Sequence, residues 1–453
     1  MKIAFVNQPI DTIVPPQQTS VGACTYGVAR ALTKFCDVAV YGLKDCHPGA
    51  EAATIDQNVK FQFFPSTLPD RLMYGVRTRY SKIFQTHSPI STSRWLYPAF
   101  GRQVAMDLRK QQCDVIHIQH SSQYAPVIRA FNPSAKIVLH LHSELFSQSN
   151  PVVLERRLWQ VDLVTSVSEY ITRKTREVFP ALADRCETTS NGIDINDFSR
   201  EPDFWAARGR REKRILYSGA ISPHKGVHVL LDAFSIVAER YPNVRLDIAG
   251  SLGAYPLEES FDMRDRSLLK GVAPFYAKNR MARLKAKLHL APPDAGTYPS
   301  YLKTRLPAGI RDKITFHGHI GVRRELVNLY YSADVFAFSP VWDEGFGLPP
   351  LEAMAAGVPV VASRSGALVE TVRDQSTGIL VEKNDAKGLA DALLKLLEDE
   401  DLRENMGRAA RKRALEQFAW DRIAERMYSR YGALCGMTQK AEPEPLKSGH
   451  TAA

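Results

Sequence analysis

No apolar run in this chain approaches the ~20 residues that cross a bilayer. Its start, MKIAFVNQPI, reads at once as a strand and lacks the long apolar centre of a cleavable signal. On both counts a cytoplasmic location is expected. Cysteine is sparse: Cys24, Cys36, Cys46, Cys113, Cys186 and Cys435 show neither CxxC nor Cys/His spacing, which favours reduced thiols over a disulfide framework or a zinc site. No fixed-period repeat of the solenoid kind is visible. Acidic residues are missing altogether between Arg71 and Arg102, where six Lys or Arg residues interleave with Tyr74, Tyr80, Phe84, Trp95, Tyr97 and Phe100. That mixture suits a segment at an anionic membrane surface, where aromatics lie at headgroup depth, and equally suits a solvated basic face packed by its own aromatics. The net charge of +10 admits nucleic acid, membrane or an anionic substrate as partner, and nucleic acid is the weakest of these because no recognisable binding motif accompanies the charge.

What is present is the pattern of two α/β domains. A chain of 453 residues exceeds one ordinary core and suits two domains of roughly 200 residues each. KIAFVN, a helix over about Tyr26 to Phe35, and VAVYGL form a βαβ unit, and DVIHIQH, KIVLHLH and VDLVTSVS add apolar strands that end on polar residues, where such sheets bind ligands. Serial turn residues in CETTSNGIDINDF place a boundary there, giving an N-terminal domain over 1–198 and a C-terminal domain over 199–417. The second half repeats the alternation with RILYSGA, VHVLLDAFSIVAER, VRLDIAG and KITFHG. Residues 251–311 lack strand pattern and read as an inserted lobe of helical character. A charged helical pattern runs from Asp385 to Gln417, a further helix covers about 418–435 and completes the N-terminal domain, and 436–453 reads as a disordered tail.

The stretch that carries most chemistry is Asp343-Glu344-Gly345-Phe346-Gly347-Leu348-Pro349-Pro350-Leu351-Glu352, continuing as AMAAGVPVV. The apolar run DVFAFSPV before it predicts a strand. Pro349 and Pro350 suit a helix start, Gly357 suits the left-handed stop, and a strand resumes at Val358. Unpaired N–H groups at such a helix start attract a diphosphate, and Glu352 in the first turns can accept from the two hydroxyls of a ribose. Gly345 and Gly347 let main chain approach a ligand, and Glu344 can accept from a second sugar. Taken singly, either glutamate is more often a complement to the helix dipole; the joint pattern points to a nucleotide sugar. In SGAISPHKG, a strand end delivers Lys225 and Gly226 to another helix start, where a lysine can neutralise phosphate. Gly22, in Thr19-Ser20-Val21-Gly22-Ala23, marks a small-residue loop that donates to phosphate or simply caps a helix.

With its two glutamates and EAMAAGVPVV, the stretch resembles the retaining nucleotide-sugar glycosyltransferases of family 4. The resemblance implies the GT-B fold of two facing Rossmann-like domains with a deep cleft between them. It further implies transfer of a hexosyl group from a UDP- or GDP-sugar to an acceptor hydroxyl, without a metal or other cofactor. In that pattern the donor site is Gly22, Lys225, Glu344, Gly345, Phe346, Gly347, Leu348 and Glu352, with His142 and Glu344 catalytic; His117, His120 and His140 compete with His142 on sequence alone. The resemblance also places a glycan or lipid-linked acceptor, as in envelope or exopolysaccharide assembly, on the N-terminal side. Two departures stand out. Ala220 occupies the position of the family's arginine, and Gly22 stands alone where a glycine pair is usual. They leave open the alternative of a catalytically weakened nucleotide-sugar-binding or scaffold protein.

Overall fold

The computed structural model describes residues 1–16, 18–49, 51, 53–84, 93–146, 150–200, 212–252 and 298–437, with no account of side chains over 77–84. Most of the predicted 251–311 lobe and of the 436–453 tail therefore lies outside the described residues. Two sheets organise the chain. The first contains β1 (Lys2–Val6), β2 (Asp37–Leu43), β3 (Ala53–Asp56), β4 (Val59–Phe64), β5 (Val115–Gln119), β6 (Lys136–Leu141), β7 (Leu163–Ser166) and β8 (Cys186–Thr188), in the order 3-4-2-1-5-6-7-8. Its pairings are parallel except β3 with β4, which is antiparallel. The second contains β9 (Lys213–Ser218), β10 (Val244–Ala249), β11 (Ile314–Gly318), β12 (Val335–Phe338), β13 (Val360–Ser363) and β14 (Gly378–Val381), all parallel, in the order 11-10-9-12-13-14.

Alternation along β1 shows why these sheets are covered on both faces. Ile3 and Phe5 pack with Tyr26 and Val28 of the helix Ser20–Leu32 and with Ile423 and Met427 of the helix Trp420–Leu434. Ala4 and Val6 pack on the opposite face with Phe100 and Val104 of the helix Pro98–Gln111. A strand buried on both faces is apolar throughout, as the sequence pattern of KIAFV requires. The order of each sheet reverses once, between β1 and β5 and between β9 and β12, and ligands of such sheets lie outside the strand C-termini at these reversals.

Three local expectations are corrected. The first helix begins at Ser20 rather than Tyr26, because Thr19 is its N-cap and accepts from Gly22 N–H at 3.2 Å. The charged run 385–417 is two helices, Ala386–Glu398 and Glu400–Phe418, split where Asp399 leaves helical geometry and accepts from Leu402 N–H at 2.9 Å. The turn-rich stretch from Cys186 opens with β8 before its turns begin. The C-terminal helix Trp420–Leu434 returns to the first sheet: Tyr431 hydroxyl lies 2.6 Å from His117 Nδ1, and Ile193 bridges Ala419.

Contacts also cross between the two sheets. Glu370 accepts from the N–H groups of Glu169 (2.8 Å) and Tyr170 (2.6 Å), capping the helix Glu169–Val178 from the other domain. Ser168 hydroxyl donates to Gly345 carbonyl at 2.7 Å.

Candidate active site

Both reversals deliver the predicted residues to one cleft. β12 ends at Phe338, and the chain then passes through Trp342 to Glu344 before the helix Leu348–Ala355 begins. Gly347 adopts φ +89° at the N-cap of that helix, a left-handed conformation that a side chain would strain, and Leu348-Pro349-Pro350 follow as its first turn. A second loop braces the first. Ser365 hydroxyl lies 3.2 Å from Glu344 N–H and bonds Trp342 carbonyl, Ala367 N–H donates to Glu344 carbonyl at 2.8 Å, and Asp343 accepts from Gly366 N–H at 3.0 Å and from Lys383 at 3.0 Å.

Glu344 is buried and meets two donors on one oxygen: Lys225 Nζ at 2.7 Å and the Trp342 indole N–H at 3.1 Å. Lys225 also sits 4.8 Å from the centroid of the Trp342 ring, which holds it by cation–π attraction. It arrives there from the short 3-10 turn Pro223–Lys225 after β9, with Gly226 at φ +68° opening the helix Val227–Arg240. Glu352, one helical turn beyond the prolines, accepts from Tyr330 hydroxyl at 2.8 Å and Arg323 Nη1 at 2.5 Å. Arg323 donates in turn to Asp197 at 2.8 Å, so the domain junction is tied to this carboxylate. A carboxylate offers about four lone-pair sites, which leaves room for a diol beside these two partners. The two carboxylates therefore each have a cation, Lys225 for Glu344 and Arg323 for Glu352.

The N-terminal domain contributes through β5 and β6. His142 follows β6, and its Nε2 lies 2.7 Å from Gln119 Oε1. A Cβ added at Gly345 would stand 3.0 Å from His142 carbonyl, so the strand end and the glutamate loop meet across the cleft as main chain on main chain. Burial, with His140 and His120 nearby, holds His142 well below the ordinary imidazole range. His117 is pushed down to about 3 and His120 to about 4, in both cases first by burial. Among the competing histidines, His140 is tied to Thr165 at 2.8 Å and His117 to Tyr431, while His142 is the one whose carbonyl meets the glutamate loop.

Gly22 does not lie in a loop. It stands in the first turn of its helix, where a Cβ would fall 1.9 Å from Thr12 carbonyl, and its N–H is taken by Thr19. The absence of a side chain is thus explained by packing of the 12–13 main chain. Ala220, at the arginine position, accepts from Tyr217 hydroxyl through its carbonyl at 2.9 Å. One run with DxD spacing exists, Asp399-Glu400-Asp401, at a helix start in the second domain, where Asp399 caps and Glu400 pairs with Lys213 at 2.7 Å. Sequence reasoning missed Trp342, Arg323, Tyr330, Gln119 and Glu370. Of these only Trp342, two residues from Glu344, had a positional signal.

Comparison with known proteins bears on the family and the fold. A family model described as Glycosyltransferase Family 4 matches residues 21–197, and one described as Glycosyl transferases group 1 matches residues 200–413. The chain is a GT-B glycosyltransferase. A putative glycosyltransferase, YtcC of Bacillus subtilis, is 27% identical over 363 residues, spanning 77% of this chain and 79% of the relative. D-inositol 3-phosphate glycosyltransferase of Corynebacterium urealyticum is 29% identical over 65% of this chain and 63% of that protein. Among solved structures, Anabaena HepE in complex with UDP and glucose superposes with a TM-score of 0.64 at 20% identity, covering 96% of this chain and all of that one. Sucrose-phosphate synthase from Thermosynechococcus elongatus superposes with a TM-score of 0.65 at 19% identity, covering 96% of this chain and all of the other. These likenesses establish the shared fold.

Proposed function

We propose that this glycosyltransferase is a retaining, metal-independent hexosyltransferase that moves a sugar from a UDP- or GDP-sugar to an acceptor hydroxyl. The observation that carries the reading is the convergence of Lys225, Glu344 and the helix start at Leu348 on one point of the cleft. Departure of a diphosphate requires positive potential where negative charge develops, and the Lys225 ammonium together with the positive end of the helix dipole at Leu348 supplies it without a metal. Glu344 and the amides of Phe346 to Leu348 then hold the transferred sugar, Glu352 holds the ribose, and His142 faces the donor sugar from the other domain. Retention rests on the family resemblance. The UDP and UDP-glucose found in HepE structures support a nucleotide sugar as donor.

The acceptor we propose is a lipid-linked or other glycan of envelope or exopolysaccharide assembly, met at the inner face of the membrane through 71–102. The helix Leu68–Phe84 supports this by leaving Leu68, Leu72 and Val76 exposed at spacings of four, which is one helical face, with Arg71 beside them. A panel of UDP- and GDP-sugars tests the donor: binding and slow hydrolysis of at least one is expected, and neither with any member sinks the reading. Ala220 favours a second reading, a weakened enzyme that retains its pocket. Ala220→Arg separates the two: a large gain in turnover supports the weakened protein, whereas no gain supports an active enzyme with its own diphosphate clamp.

A further inference from the structure

Four polar residues at the C-terminal rim of the first sheet are hydrogen-bonded in series: Asn7, Thr25, Gln119 and His142. Asn7 and Gln119 are buried, as is Thr25, on the helix above them. Thr25 Oγ1 lies 3.0 Å from Val21 carbonyl, one turn earlier in its own helix, so the hydroxyl proton is committed there. Its lone pairs receive Asn7 Nδ2 at 3.2 Å and Gln119 Nε2 at 3.0 Å.

That commitment fixes the next group. An oxygen with no proton to give accepts only the NH2 end of an amide, so Gln119 turns its NH2 toward Thr25 and its carbonyl toward His142. Gln119 Oε1 stands 2.7 Å from His142 Nε2, and an acceptor at that distance requires a proton on Nε2. The ring is neutral because burial disfavours the imidazolium. It carries one proton, and Nδ1 is left with its lone pair and has no hydrogen-bond partner among the described residues.

We propose that Thr25 and Gln119 are positioning residues that fix His142 in the Nε2–H tautomer, so that Nδ1 is presented to the cleft as an acceptor for a substrate hydroxyl. The assignment of the tautomer stands on the hydrogen bonds together with the burial that keeps the ring neutral. Only its use by a substrate hydroxyl rests on the proposed transfer reaction. A Gln119 flipped about its amide would offer NH2 to His142, reversing the ring's proton and presenting a donor where a hydroxyl needs an acceptor.

The test uses the full-length protein labelled with 15N-histidine, with the His142 signals assigned by comparison with His142→Ala. Long-range 1H–15N spectra near pH 7.5 should show His142 protonated at Nε2 and bare at Nδ1. Thr25→Val, which keeps the shape but loses the hydroxyl, and Gln119→Leu should convert this to a mixture or to the Nδ1–H form. Each should lower kcat by about tenfold, the weight of one hydrogen bond, with the KM for donor little changed. Thr25→Ser, which restores the hydroxyl, should restore both readouts. A wild-type ring protonated at Nδ1 overturns the proposal, as does a loss of kcat in the variants with an unchanged tautomer. A changed tautomer at full kcat overturns the role of Nδ1. Failure of every donor to react sinks the transfer reading instead, and leaves the spectra to decide the tautomer.

Discussion

Lys225 Nζ lies 2.7 Å from Glu344 Oε2, with side-chain exposures of 17% and 12%. The two groups neutralise each other. In the proposed reaction a diphosphate would compete with the carboxylate for the ammonium and leave Glu344 freer to accept from the sugar.

Lys225→Ala should destabilise the fold by about 3 kcal/mol, because it strands a largely buried carboxylate that, among the described residues, keeps the Trp342 N–H as its side-chain donor. The double variant Lys225→Ala with Glu344→Ala should be no less stable than Lys225→Ala alone. Urea unfolding of the four proteins measures the coupling, and simple additivity would refute it.

Glu352→Ala should weaken binding of free UDP or GDP by about 1–3 kcal/mol, since two ribose hydroxyls and Tyr330 lose their acceptor. Calorimetric titration of parent and variant decides this. Equal affinity would remove Glu352 from the ribose.

Acid should unfold the protein early. The buried His117 and His120 have folded pKa values of about 3 and about 4, below the unfolded value. Their stabilising effect is present above about pH 6.5 and is lost as pH falls, by about 2 kcal/mol each at pH 5. Asp11 acts in the opposite sense: burial raises it to about 6, so its contribution declines as pH rises from about 4 to 6. Two histidines outweigh one aspartate, and His140 and His142, also depressed by burial, add to them. The melting temperature should fall between pH 7.5 and 5.5. Asp11→Asn should raise stability at pH 7.5 and steepen the acid loss.

Liposomes carrying anionic lipid should sediment the protein at low salt and release part of it at high salt, since cationic attraction is screened over ~8 Å at physiological ionic strength. Leu72→Glu, on the exposed face of its helix, should reduce binding at both. Absence of binding even at low salt would remove the support for a membrane-borne acceptor.

The sequence was most legible where periodicity and punctuation coincide. Strands buried on both faces read as unbroken apolar runs, and Pro and Gly mark the ends of the helix before β13. Glu344, Glu352 and Lys225 were legible because strand ends and helix starts are local features. Residues that reach their partners across the fold were not. Arg323 finds Glu352 from a helix 29 positions earlier, and Gln119 meets His142 only because β5 and β6 are neighbours. Nothing in the spacing of either pair betrays a contact. At Gly22 the sequence shows a glycine near a phosphate-type loop but not the close approach of Thr12, ten residues away, that also demands it.

Glu370 gives the cleft a defined resting position. Its carboxylate serves the helix Glu169–Val178 as an N-cap supplied by another domain, so the halves cannot part without leaving two amides to solvent. Opening is therefore a step with a hydrogen-bond threshold, and a substrate that props the domains apart works against the cap of a helix.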